Sequence, residues 1–194
     1  LLTPENANHE VSVSPDGKYL VDNISAPDQP TRTVLREITS GKIVTELSKA
    51  IVDDLLTMKY SFPETFTATG RDEMRTIYGA LWKPSNMDVS KKYPVIDQSY
   101  TGPHTNMFPR NFTSSLSRSN QALAELGFIV VTIDGLGSAG RSKAFHNFSY
   151  KKMGKNLTDH ILAIKELARK YNWVDAGRVG IFGHSAGGFD AGHA

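Results

Sequence analysis

Apolar and polar positions alternate along residues 9–47. In "VSVSPDGKYLVDNIS", residues 11–25, alternating apolar positions flank Ser14-Pro15-Asp16-Gly17, a strong turn signal. The alternation resumes at Val34, Arg36 and Ile38, and Thr39-Ser40-Gly41-Lys42 turns the chain again before Ile43-Val44. Residues 9–47 therefore predict short strands joined by tight turns, as in a propeller blade or a sandwich. One such unit has too little core to stand alone. The period then changes. Ile51, Leu55 and Met58 share one helical face, which predicts a short helix whose Asp53-Asp54 lie on the solvated side. Two β-like segments follow, residues 60–70 and 74–84, with Arg71-Asp72-Glu73 at the turn of an antiparallel hairpin.

From Tyr93 the pattern becomes that of an α/β protein. "YPVIDQSY" predicts a strand, and residues 116–126 predict a helix stopped by Gly127. "FIVVTI", residues 128–133, is a continuous apolar run, expected of a strand buried on both faces. A glycine-rich loop leads to the clearest helix, with Leu157, Ile161, Ile164, Ala168 and Tyr171 on its apolar stripe. "RVGIF", residues 178–182, predicts another buried strand. Strand–helix–strand order over residues 128–182 implies a right-handed crossover in a parallel sheet.

That last strand runs into Gly183-His184-Ser185-Ala186-Gly187, which fits the nucleophile-elbow pattern G-x-S-x-G. The chemistry needs a serine on a sharp strand-to-helix turn, its hydroxyl lifted above the sheet. Strand and helix then pass so closely that a side chain at Gly183 or Gly187 would collide. A serine hydroxyl also needs a base to take its proton, usually a histidine held by a carboxylate, and in this arrangement both follow the serine in the chain. Asp190 and His193 lie too close in sequence to swing back over the hydroxyl, and the His184 side chain should point elsewhere. The triad partners are expected beyond residue 194. Upstream, Tyr100-Thr101-Gly102-Pro103 follows a strand and should reach the top of the sheet. A tyrosine hydroxyl there could donate to a developing oxyanion beside the backbone N–H of Ala186. From composition alone Tyr100 reads first as a structural residue of a Gly-Pro turn.

Together these stretches resemble the prolyl oligopeptidase family of serine peptidases, nearest its dipeptidyl-peptidase IV branch. "SVSPDGKYLV" is similar to a late propeller strand pair, "KKYPVIDQSYTGPHTN" to the first hydrolase strands and their oxyanion turn, "ALAELGFIVVTIDGLGSAGRS" to a strand with its Asp-Gly-x-Gly loop, and "VGIFGHSAGG" to the elbow. The resemblance implies an α/β fold: the N-terminal part of an α/β-hydrolase domain with a parallel sheet, at residues 51–194, preceded by the last strands of a β-propeller at residues 1–50. It implies a serine peptidase acting on short peptides, with cleavage after proline and release of dipeptides as its refinement. It gives Ser185 the nucleophile role, Tyr100 the oxyanion hydroxyl and Ala186 the second oxyanion donor. It implies a periplasmic or secreted setting and allows a homodimer of the full-length parent. Leu136 departs from the arginine often found in that loop. The acidic residues that grip a substrate's amino terminus would lie upstream of Leu1.

Composition narrows the rivals. The chain has 194 residues, 39% of them hydrophobic and 22% charged, enough for about one core. Its 22 Lys and Arg are scattered against 20 Asp and Glu, which argues against nucleic acid as a partner. No apolar run is long enough to span a membrane. With no cysteine, disulfides, thiolate catalysis and Cys-based zinc sites are excluded, and neither a metal nor a cofactor is expected. The chain opens on leucine with no export signal after it and reads as a fragment at both ends, expected to be inactive and poorly folded alone. Two alternatives remain. A carboxylesterase would share the elbow. A dinucleotide-binding protein would use Gly135, Gly137 and Gly140 as a G-x-G-x-x-G fingerprint, although no apolar-periodic helix opens directly after it. His9, His104, His146 and His160 lack ligand spacing and read as surface or turn residues. Asn23, Asn111, Asn147 and Asn156 begin glycosylation sequons of the kind common by chance.

Overall fold

The computed structural model describes residues 1–194. They form two compact units, one of residues 1–62 and 109–118, the other of residues 63–108 and 119–194.

The first unit is a four-stranded antiparallel meander: β1 (Asn8–Val13), β2 (Tyr19–Ala26), β3 (Gln29–Glu37) and β4 (Ile43–Lys49), paired in chain order. The two turns foreseen between strands place Gly17 and Gly41 at φ 69° and 70°, backbone that a glycine adopts without a Cβ penalty. Val34 and Leu20 supply apolar core, but the same layer holds a buried ion pair between Arg36 and Asp22. Val11, Val13, Val44 and Leu47 of the outer strands are exposed. Helix α1 (Asp53–Thr57) forms where its pattern placed it, yet buries no residue. Helix α2 (Phe112–Leu116) belongs to this unit and starts on a capping box, in which the Asn111 side chain accepts from Ser114 N.

The second unit is built on a five-stranded sheet. Strands β5 (Glu64–Thr69), β6 (Thr76–Trp82), β7 (Tyr93–Gln98), β8 (Ile129–Asp134) and β9 (Val174–Phe182) lie in the order β5-β6-β8-β7-β9. The sheet is mixed rather than wholly parallel. The β5–β6 hairpin joins it antiparallel to β8, while β8 and β9 run parallel to β7 on its two sides. Every residue of β8 is buried, as its unbroken apolar run requires. The main core gathers Ile77, Leu81, Val95, Ile129, Val131 and Ile133 with residues of the helix beneath.

Three expectations need correction. The helix over residues 116–126 is two pieces, α2 and α3 (Asn120–Glu125), because Arg118 and Ser119 between them take left-handed backbone at φ 71° and 57°. Strand β9 is not buried on both faces. It is an edge strand paired only to β7, and Val179 and Phe182 are exposed. The long helix forms, after a short α4 (Lys143–His146), as α5 (Leu157–Lys170), but its buried stripe is rotated. Leu157, His160, Ala163, Ile164 and Leu167 face inward, while Ile161 is 53% exposed. The pattern misled because two polar side chains, Asp159 and His160, occupy the buried face.

Candidate active site

The site is assembled at the ends of β7 and β9. After β9 the chain passes Gly183 and His184 and reaches Ser185, whose backbone is at φ 55° and ψ −114°, before helix α6 (Ala186–His193) begins. A non-glycine residue held there carries backbone strain, which persists only when its surroundings impose it. The surroundings are tight. A Cβ on Gly183 would lie 2.3 Å from the Ser99 carbonyl oxygen, and one on Gly187 would lie 2.0 Å from it. Both glycines therefore let the turn press against the chain leaving β7. Ser185 itself is exposed, and its side chain does not cap α6. Ala186 is the first residue of α6, where backbone N–H groups have no acceptor inside the helix.

The chain leaving β7 carries Tyr100, half-buried, and it is fixed from α6. Asp190 is fully buried and accepts three hydrogen bonds: from Ser99 Oγ at 2.8 Å, Thr101 N at 3.0 Å and Thr101 Oγ1 at 2.6 Å. Asp190 thus ties the helix after the serine to the residues on either side of Tyr100. Nothing in the local sequence pattern pointed to this role. His184 and His193 are exposed, and the His193 ring stacks on Phe189. The Tyr100 hydroxyl lies 3.0 Å from His104 Nε2, and the two rings meet edge to face.

The glycine-rich loop after β8 is occupied by the protein's own groups. Asp159 accepts from Leu136 N at 2.7 Å and from Arg71 N at 2.7 Å, and its carboxylate also pairs with the Arg71 guanidinium. Gly137 has φ +109°, and a Cβ there would collide with Ser149 Oγ. Asp134 accepts from Met107 N at 2.6 Å. A pyrophosphate would have to displace the Asp159 carboxylate from the loop N–H, and only the four-residue α4 follows the loop. The dinucleotide reading of Gly135, Gly137 and Gly140 is not favoured. Leu136, where the family pattern often has arginine, is completely buried in the main core.

Burial pushes the carboxyls of Asp159 and Asp134 above the usual aspartate value, with backbone N–H donors pulling the other way. His160, read from the sequence as a surface residue, is buried, with Nδ1 2.7 Å from Asp97 Oδ2. Burial disfavours its imidazolium, but the carboxylates of Asp97, Asp159 and Asp190 outweigh that and hold its pKa above the ordinary histidine value. A raised histidine pKa contributes stability that is fully present below about pH 6.5 and is lost as pH rises through the raised value. Urea unfolding of the full-length protein between about pH 6 and pH 9 should therefore show stability falling with pH, and His160→Gln should flatten that fall. An equal slope in the variant would remove His160 as its source.

Glu5, His9 and Asp22 of the first unit bring one ligand atom each within 4.8 Å of one another, a spacing that suits a cation on distance alone. Arg36 already fills that role, donating from Nε to Asp22 at 2.8 Å and from a terminal nitrogen to Glu5 at 2.7 Å. His9 Nδ1 lies 2.9 Å from the same Asp22 carboxylate. No helix is long and apolar enough to cross a membrane.

A mixed sheet with an exposed serine on a strained strand-to-helix turn defines an α/β protein of the serine-elbow class. The model of the prolyl oligopeptidase family matches residues 114–194, which include the turn. Over 195 residues the chain is 29% identical to human dipeptidyl peptidase 8, covering 97% of this chain and 22% of that protein. It is 33% identical over 112 residues to the venom dipeptidyl peptidase 4 of Apis mellifera, covering 57% of this chain and 14% of that one. Among solved structures, a candidate dipeptidyl aminopeptidase IV from Bacteroides ovatus superposes with a TM-score of 0.84 at 29% identity, covering 97% of this chain and 27% of that chain. The chain is similar to the prolyl oligopeptidase family over residues 114–194 and to dipeptidyl peptidases over nearly its whole length. It spans about a fifth of the length of the human relative it matches.

Proposed function

We propose that these residues are the nucleophile-bearing part of a serine peptidase that cleaves short peptides and releases dipeptides after proline. Residues 51–194 then form the N-terminal part of an α/β-hydrolase domain, and residues 1–50 the last strands of a β-propeller. One observation carries the reading: an exposed serine, Ser185, held at φ 55° between an edge strand and a helix by two glycines that admit no Cβ. The dipeptidyl peptidases among its relatives support the substrate class.

In the proposed reaction Ser185 Oγ attacks the carbonyl carbon of the scissile amide while a general base takes its proton. The carbonyl oxygen becomes an oxyanion, which accepts from the Tyr100 hydroxyl and the Ala186 N–H. Collapse expels the amine with the proton returned by the base and leaves an ester on Ser185. Water, activated by the same base, hydrolyses that ester. Asp190 cannot serve as the base's carboxylate, because its two oxygens are buried against Ser99 and Thr101. The base and its carboxylate come from chain outside these residues, so the 194-residue piece alone is inactive.

The test uses the full-length protein and a fluorophosphonate, which phosphonylates activated serines. Labelling of the peptide containing Ser185, with parallel loss of hydrolysis of a dipeptide anilide ending in proline, is the expected result. Label on another serine defeats the assignment of Ser185. Hydrolysis of short-chain esters with no detectable turnover of any peptide amide defeats the peptidase reading.

A further inference from the structure

We propose that His104 is a positioning residue for the Tyr100 hydroxyl, donating its Nε2–H to the phenolic oxygen so that the phenolic hydrogen is left for the oxyanion; this rests on the oxyanion role proposed for Tyr100. A phenol has one hydrogen to give and two lone pairs to receive with. If Tyr100 spends its hydrogen on His104, it has none for the substrate. If His104 donates, the hydroxyl keeps its hydrogen, and accepting a hydrogen bond strengthens it as a donor.

The geometry is built around this contact. The Nε2–Oη distance is 3.0 Å, and the rings meet at 88° with centroids 5.6 Å apart. Gly102 lies between them in sequence, and a Cβ there would be 2.5 Å from the Tyr100 ring and 3.1 Å from the His104 ring. The rings thus occupy the space a side chain at residue 102 would need. The same turn is pinned at two further points. Thr101 is held by the buried Asp190 carboxylate, and the Pro103 carbonyl accepts from His146 Nε2 at 2.6 Å. His104 itself is exposed and rims a cavity shared with Arg141, Lys143 and His146, so water can serve its other nitrogen. With Thr101 and Pro103 fixed by the rest of the fold, His104 is the group left to set where the phenolic hydrogen points.

The experiment is a double-mutant cycle in the full-length enzyme, with kcat and KM measured separately on a proline dipeptide anilide. Tyr100→Phe should lower kcat by roughly 100-fold, the scale of one lost oxyanion donor. His104→Ala should lower kcat by about tenfold at unchanged KM, and His104→Gln, which keeps a side-chain N–H donor, should restore most of it. In the Tyr100→Phe background His104→Ala should have no further effect. A His104→Ala enzyme with kcat equal to or above wild type, alongside a defective Tyr100→Phe, overturns the inference and leaves the oxyanion role standing. Equal loss from His104→Ala with or without the Tyr100 hydroxyl also overturns it, because the effect would then not pass through that oxygen. If Tyr100→Phe is itself fully active, the oxyanion role falls and this inference falls with it.

Discussion

On the proposed serine-peptidase mechanism, replacing Ser185 with alanine in the full-length protein should lower kcat by about 10⁶-fold on peptide amides, with KM and the folded state kept. The magnitude is that of removing a serine nucleophile whose companions remain, since the triad acts as a unit and the oxyanion donors alone retain only a residual rate. The structure predicts that the fold survives. Ser185 is exposed, does not cap α6, and relinquishes only a hydroxyl. The strain at φ 55° remains, because alanine meets the same Cβ penalty there as serine. Steady-state kinetics and circular dichroism on the purified variant check both halves. A loss of less than about tenfold at intact fold would mean that another residue is the nucleophile.

The second large effect comes from a residue that touches no substrate. Asp190→Ala removes the acceptor of three hydrogen bonds and leaves Ser99 Oγ, Thr101 N and Thr101 Oγ1 buried without partners. Stranding a buried polar cluster by deleting its charged member costs about 3–5 kcal/mol. The loss is also local, because Thr101 directly follows Tyr100. A displacement of the tyrosine by about 1 Å is enough to cost roughly 100-fold in rate. The expected result is a less stable enzyme whose kcat falls far more than its affinity for substrate. Asp190→Asn keeps one side-chain oxygen as an acceptor and should recover part of the stability. Denaturant unfolding and kinetics on the two variants check this. Unchanged unfolding of Asp190→Ala would mean that α6 does not anchor the turn.

The two residues were unequally visible beforehand. Ser185 could be read because the elbow makes local steric demands: a serine after an apolar run with glycine two positions to either side. Those demands are met within a few residues of chain. The packing partner that enforces them, the Ser99 carbonyl, is distant in sequence, but a glycine shows the need for space whatever the partner is. Asp190 could not be read, since its significance is a hydrogen-bonded partner 89 residues away. Its surroundings look like any polar residue in a helix after an elbow. His160 was misread for the complementary reason. An apolar stripe of Leu157, Ile161 and Ile164 fits period 3.6 well, and it is carboxylates brought up by the fold, first the Asp97 carboxylate on β7, that make it favourable to turn His160 inward and leave Ile161 outside.

Local pattern alone was enough for the kinds and order of the elements: the meander with its glycine turns, the hairpin, the fully buried β8, the long helix and the turn at Ser185. Alternation, period and turn chemistry are properties of neighbours along the chain, so they survive without a fold. Partnership between distant segments had to be seen in three dimensions. The hairpin's entry into the same sheet, the rotated face of α5, the Asp159 carboxylate filling the glycine loop and the Asp190 tie to the Tyr100 turn each depend on what lies across a gap in space. A buried donor or carboxylate is stable only where its complement arrives, and that complement is chosen by the packing of the whole second unit rather than by the residues on either side.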